Sequence, residues 1–236
     1  MLDVAAVSID KDTRIAVLTY DAPHRKTQDV LFRLRGMGYA DVVVVAMPWQ
    51  ERKNHAPLFP HRPDNVLPVK PMLLATRLGY RFQAAPHDVY MWLDTWEPAV
   101  TLIGGAGILP DPERRLIVNS HPGYLPNVRG LDALKWAIYD DQPIGVTAHV
   151  IDAEADSGWL IDRKIIAPAF TEDFGAFARR QYELEVSMLV ASLAKLDAAK
   201  ALRPLIDHEI LKHQPHRRMP HARELEMMAK YRRGVA

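Results

Sequence analysis

Cysteine is absent from all 236 residues, so this chain can build no disulfide framework, no thiolate nucleophile and no zinc-thiolate site. Excess charge of either sign is absent too. Thirty Lys and Arg face 29 Asp and Glu, which removes any global pull toward nucleic acid or anionic lipid and points to a small-molecule partner. Long hydrophobic runs are missing: the longest clean one, Val42 to Met47, has six residues, and Asp3, Asp10, Lys11 and Asp12 punctuate the N-terminal stretch. Neither a signal peptide nor a membrane-spanning helix fits that pattern, and the expectation is a cytoplasmic globular protein with no membrane or nucleic-acid partner. The tight spacings of metal ligands, H-x-H and H-E-x-x-H, do not occur, so no metal is expected. A P-loop is missing as well. The cluster Gly104-Gly-Ala-Gly107 falls short of a full dinucleotide-binding fingerprint, and Pro110 spoils the helix that should follow it.

The residues present suit one α/β domain. Arg14 to Tyr20 and Asp41 to Met47 are short apolar, largely β-branched runs that read as buried strands, and Thr27 to Met37 between them spaces Val30, Leu31 and Leu34 as a helix ending at Gly38. A strand-helix-strand unit predicts a parallel sheet. Further strands are expected at Ala99 to Ile103, Leu116 to Val118, Gly145 to Ile151 and Trp159 to Ile166. Helices are expected at Pro71 to Leu78, Pro86 to Trp96 and Leu131 to Tyr139, with a long one capped by Thr171 and carrying Glu172 and Asp173 in its first turn. That helix either covers its own sheet or makes a homodimer contact. The proline-rich stretch from Pro48 to Pro71 reads as a long loop that packs, because Trp49, Leu58, Phe59, Val66 and Leu67 interrupt it. The expected fold is a doubly wound, mostly parallel α/β sheet flanked by helices. Residues 1–200 would form the catalytic domain and 201–236 a helical tail packed on it.

In such sheets ligands bind beyond the carboxyl ends of the strands, and the residues best suited to chemistry are expected there. Asn119 and His121, two apart at the end of a strand, point to the same side. A carboxamide can donate to a developing oxyanion without titrating, and an imidazole can accept or donate a proton near neutrality. Pro122, Gly123, Pro126 and Gly130 stiffen the loop that follows. Asp156 lies in the polar loop Asp152-Ala-Glu-Ala-Asp-Ser-Gly158, and His149 on the neighbouring strand reads as a neutral core histidine. Taken singly, Asn119 and Asp156 fit ordinary turn chemistry; together with His121 they fit acyl transfer.

The wording Asn119-Ser-His-Pro-Gly-Tyr-Leu-Pro126, then Gly145-Val-Thr-Ala-His149-Val and Asp156-Ser-Gly158, resembles the folate-dependent formyltransferases. The resemblance runs from Val100 to Ile166, and this chain has Gly123-Tyr124 where the family motif has Ser-Leu. It implies a Rossmann-type fold and transfer of a formyl group from the cosubstrate N10-formyltetrahydrofolate to a primary amine, with Asn119, His121 and Asp156 as the catalytic trio. The resemblance also implies that the pterin lies against Gly107, Ile108 and Leu109 and against Asp152, Ala153, Glu154 and Asp156. The turn Tyr20-Asp-Ala-Pro-His-Arg-Lys26 lacks the glycines and serines with which the glycinamide ribonucleotide enzyme of the family holds phosphate. The chain also ends about seventy residues after the region of resemblance, without the further domain of the tRNA enzyme, and its basic tail His213 to Pro220 is short. Size and the wording Lys135-Trp-Ala-Ile138 favour the amino-sugar branch. The expected acceptor is then a nucleotide-linked amino-dideoxy sugar, formylated at its 4-amino group, with Tyr124, Trp136 and the 48–71 loop as sugar contacts. Glycinamide ribonucleotide formyltransferase and formyltetrahydrofolate hydrolase are the alternatives.

Overall fold

The computed structural model describes residues 2–49, 56–85, 87–107, 109–154, 156–205 and 214–234. Continuous β-branched and apolar runs give strands buried on both faces. Strands β2 (Ile15–Tyr20) and β3 (Val42–Met47) pair in parallel, with Ile15 opposite Val42, and every residue but the last of each is buried. Helix α1 (Arg25–Gly36) joins them, burying Val30, Leu31 and Leu34. It ends where Gly38 takes φ +85, with Gly38 N–H donating to Arg35 O and Tyr39 N–H to Leu34 O. Helix α2 (Pro71–Arg77) ends the same way at Gly79, with Tyr80 N–H on Ala75 O. Both are Schellman closures, and the left-handed position is the reason for glycine. In each, the tyrosine after the glycine turns into the core, where Tyr80 Oη–H donates to Tyr39 O at 3.1 Å.

The full set of strands adds a short N-terminal β1 (Leu2–Asp3), β4 (Arg81–Ala84), β5 (Val100–Ile103), β6 (Ile117–His121), β7 (Gly145–Val150), β8 (Trp159–Ile165) and β9 (Ala201–Pro204). One sheet runs β1-β9-β8-β7-β6-β5-β2-β3-β4. From β4 to β6 it is parallel, with the chain reversing direction across the sheet at β2, as a doubly wound fold does; from β6 to β1 it is antiparallel. Helices α3 (Val89–Trp96), α4 (Ala133–Tyr139), α5 (Phe174–Ala198) and α6 (His221–Gly234) complete the layers. Among the described residues no helix is long and apolar enough to cross a membrane.

Several details differ from the expectations. Thr171 does not cap α5: it takes φ +57, and the Asp173 carboxylate accepts from Gly175 N and Ala176 N instead, so Glu172 and Asp173 precede the helix. A carboxylate two residues nearer the first free N–H groups wins the cap. The third helix starts at Val89, capped by Asp88, and its expected first residue, Pro86, lies outside the described residues. Residues 50–55 of the proline-rich loop and 206–213 of the tail lie outside them too. The tail is not helical from its start, since β9 first extends the sheet and α6 then packs on α4.

Candidate active site

Strand β6 carries the site. Opposite it in antiparallel register, Asn119 faces His149 and His121 faces Thr147, so alternation sets all four on one face. The loop after His121 is strapped at every turn. Gln181 Nε2–H donates to Pro122 O at 3.0 Å, Thr147 Oγ1–H donates to Gly123 O at 2.9 Å and accepts from Leu125 N, and Arg163 Nη1–H donates to Leu125 O at 2.9 Å. The Leu125–Pro126 bond is cis. From the other side Lys26 Nζ donates to Ser120 O at 3.1 Å and pairs at 2.8 Å with Glu185, which also binds Arg62. Burial alone would raise the Glu185 carboxyl, but those two cations outweigh it and hold it at about 2.

This scaffold brings His121 and Asp156 together. His121 Nδ1 lies 3.1 Å from Asp156 Oδ1, with the two side chains 5% and 15% exposed. The other imidazole nitrogen, Nε2, is 3.0 Å from Val128 O. Both ring nitrogens thus face acceptors, and only a ring bearing two N–H groups satisfies both. The second carboxylate oxygen of Asp156 accepts from Gly130 N at 2.6 Å. Burial pushes this carboxyl up, yet the charge and hydrogen bond of His121 and the Gly130 amide hold it well below the usual carboxylate range. Asp156 sits at φ +52, a conformation that Asp tolerates better than most residues. Asn119 is partly exposed beside the pair, and no side-chain hydrogen bond engages it among the described residues, which leaves its amide free to donate.

Gly123 has a steric reason. A Cβ there would lie 2.5 Å from His121 Nε2 and 2.7 Å from Val128 O, so a side chain would break the contact that fixes the ring. This is the position where the family motif has serine. His149 is fully buried, and desolvation lowers it to about 4, so it is neutral. Its Nδ1–H donates to Ser157 O at 2.7 Å, leaving Nε2 as a buried acceptor with no partner among the described residues.

The residues expected against the pterin divide. Gly107 borders open space, whereas Gly104 and Gly105 pack on Thr27 and His24. Leu109 points into the core, so only its backbone is offered. Ile108 lies outside the described residues. Asp152 folds its own loop, accepting from Ser157 Oγ and, at 3.1 Å, from Glu154 N, while Ala153 and Glu154 are exposed. Trp136 is not a sugar contact: it is 7% exposed, stacks on His216 at 4.4 Å and donates from Nε1 to Arg217 O. Its neighbour Lys135 is fully buried against Glu224 at 3.1 Å. Both serve packing, since the helix they share is covered by α6. Tyr124 is half-buried under the Arg163 guanidinium. Sequence reasoning had missed the carbonyl of Val128 and the tail residues behind it, because main-chain partners leave no residue-type signal. A cleft of about 530 Å³ lined by Phe59, Thr171, Phe174, Met228 and Tyr231 contains none of the trio. Its two carboxylates are engaged in structural bonds, Glu172 with Arg180 and Asp173 with the α5 cap. No group of three metal-ligating side chains occurs among the described residues.

Residues 101–193 match the model of the Formyl transferase family. The chain is 30% identical over 122 residues to the methionyl-tRNA formyltransferase of Desulfotalea psychrophila, covering 49% of this chain and 38% of that protein. It is 33% identical over 73 residues to the dTDP-4-amino-4,6-dideoxyglucose formyltransferase of Mycobacterium bovis, 31% of each. The matched stretches thus span less than two fifths of these relatives. In three dimensions the chain is similar to glycinamide ribonucleotide transformylase 1 of Symbiobacterium toebii, with a TM-score of 0.59 at 19% identity over 84% of this chain and 96% of that one. It is similar also to a sugar N-formyltransferase of Shewanella, with a TM-score of 0.57 at 16% identity over 93% and 87%. At such identities the likeness is one of fold. Through residues 101–193, the stretch that holds Asn119, His121 and Asp156, the chain is similar to the formyl transferase family.

Proposed function

We propose that this protein transfers a formyl group from N10-formyltetrahydrofolate to the primary amine of a small molecule, and that Asn119, His121 and Asp156 carry the reaction. The observation that carries this reading is the His121–Asp156 pair, 3.1 Å apart at the end of β6 next to Asn119. The donor supplies the formyl carbon, and the open space at Gly107 with the exposed 152–154 loop fits a flat ring against backbone. As the amine nitrogen bonds to that carbon, negative charge develops on the formyl oxygen. Asn119 donates to that oxygen, and the positive ring of His121 steadies it. Asp156 takes the proton the attacking amine loses, directly or through water, and that proton leaves with N10 as the old C–N bond breaks. Net charge is conserved.

For the acceptor, the proposal is the 4-amino group of a nucleotide-linked amino-dideoxy sugar. The match to a dTDP-4-amino-4,6-dideoxyglucose formyltransferase supports it. So does the first turn of α1, whose cations are already engaged, Lys26 by Glu185 and Arg25 by Asp29 at 2.7 Å, rather than free for a ribonucleotide phosphate. On the same rim Trp49 is exposed and packs edge-on against Tyr20, offering an aromatic surface. The test is incubation with N10-formyltetrahydrofolate and a panel of nucleotide-linked amino sugars, glycinamide ribonucleotide and charged initiator tRNA, read by mass spectrometry. A formyl gain on an amino sugar is expected. Gain on glycinamide ribonucleotide, or formate released with no amine present, would overturn the acceptor assignment.

A further inference from the structure

Both outer bonds of the His121–Asp156 pair end on one short stretch of main chain: Val128 O takes the His121 Nε2–H and Gly130 N–H binds Asp156. That stretch and the residues that follow it into α4 are gripped from behind by four consecutive residues of the C-terminal segment. His216 N–H donates to Arg129 O at 3.0 Å and His216 O accepts from Leu131 N at 2.8 Å. Arg217 O accepts from Trp136 Nε1 at 2.9 Å, under the ring stacked on His216. Arg218 Nη1 lies 2.9 Å from Asp132 Oδ1, and Met219 N donates to Asp132 Oδ2 at 3.0 Å. Gly130 takes φ +87, and a Cβ there would lie 2.3 Å from His216 O, so only glycine lets the two strands meet so closely. The grip is anchored: Met219 and Met227 are fully buried, and Glu224 of α6 meets Lys135 of α4 with neither exposed. All of these tail residues lie beyond residue 193, where the family match ends.

We propose that segment 216–219 is a positioning element for the catalytic pair, with Arg218 and Asp132 as its positioning residues; this rests on the catalytic reading above. Neither touches the reacting atoms. They act by pinning the chain at residue 132, just beyond the 128–130 stretch whose carbonyl and amide fix the angle and spacing of the pair, and a misplacement of about 1 Å in such a site costs on the order of a hundredfold in rate. A fraction of that is expected from loosening one of the four grips.

The full-length chain is compared with Arg218→Met, with Arg218→Lys, and with Trp136→Phe, which keeps the stacked ring but loses the N–H to Arg217 O. Arg218→Met is expected to lower kcat about tenfold with KM for the formyl donor unchanged and the thermal midpoint nearly so, and Arg218→Lys to recover most of it. Trp136→Phe should lower kcat in the same sense. The His121 ring nitrogens, followed by NMR on histidine-labelled protein without substrate, should shift in Arg218→Met and return in Arg218→Lys. An unchanged kcat with an unchanged His121 signal overturns the proposal, as does a loss of kcat that Lys does not rescue and the His121 signal does not follow. If the wild-type chain transfers no formyl group, the catalytic reading falls, while the His121 signal still reports on positioning.

Discussion

Replacing Asp156 by Asn should remove the chemistry and leave the fold. Asn tolerates the left-handed backbone that Asp156 adopts at φ +52, so no new strain arises. With its carbonyl turned to Gly130 N–H, the new amide presents NH2 to His121 Nδ1, 3.1 Å away in the parent. The ring then settles as the neutral tautomer, its Nε2–H still on Val128 O. Every hydrogen bond survives, but the ion pair is gone. Exchanging three charge-assisted bonds for neutral ones costs about 1 kcal/mol each, so the thermal midpoint should fall by roughly 6–12 °C in a chain of this size. Losing the proton acceptor and the imidazolium charge should cost about 10²–10⁴ in turnover. The assay is kcat for formyl transfer at saturating donor, beside a thermal melt and the His121 nitrogen shifts. The parent pair also carries a pH signature. Because the Asp156 carboxyl is held low in the folded chain, its stabilisation is complete above its unfolded value of about 3.9 and is lost as pH falls toward the folded value. The Asn variant should lack that component of acid destabilisation. More than a tenth of parental turnover in a well-folded Asp156→Asn protein would refute the role given to the pair.

Asn119→Ala should reduce kcat about 10²–10³-fold with no measurable change in the thermal midpoint, since no described side-chain bond is lost; a drop of less than fivefold would remove Asn119 from the mechanism. Glu224→Ala strands Lys135, fully buried in the parent, and should cost about 3–5 kcal/mol, read by denaturant unfolding. The double change Lys135→Met with Glu224→Leu should recover most of that loss, because it removes both charges; no recovery would contradict the account of the pair. Stability should also decline as pH drops from about 6.5 toward 4, the range set by an ordinary histidine value and by two buried histidines and the half-buried His24. Desolvation lowers His24 and His149 to about 4 and His61 to about 3, so in that window the unfolded chain binds protons that the folded chain refuses. Thermal midpoints that stay level from pH 7 to 4.5 would contradict neutral burial of these rings.

The parallel half of the fold was legible because its signals are local. Val42 to Met47 is β-branched and apolar on both faces, Val30, Leu31 and Leu34 repeat at helical spacing, and Gly38 stands where only a left-handed residue closes the helix. Strand β4 escaped because Arg81, Phe82, Gln83 and Ala84 form a short edge strand, half-exposed and of mixed polarity. The α5 cap was misassigned because Thr171 and Asp173 are both good caps by residue type, and only the backbone angles choose between them. Trp136 looked like a ligand-stacking residue because an aromatic next to a catalytic loop carries the same letters whether it faces a cleft or a helix. Covering by α6 decided that.

By itself the amino-acid order determined which residue types stand at the end of β6 and in the loop after β7, and with them the class of chemistry proposed for the site, since a carboxamide, an imidazole and a carboxylate are chemical facts before any folding. Tertiary structure decided that His121 and Asp156 touch, that Val128 O and Gly130 N–H hold them from outside, and that His216 closes on the neighbouring Arg129 and Leu131. The physical reason lies in how the bonds are made. Strand and helix propensities are written in neighbouring side chains, whereas the contacts that aim this pair run between main-chain groups nearly ninety positions apart in the chain, from Arg129 to His216, and main-chain groups are the same in every residue.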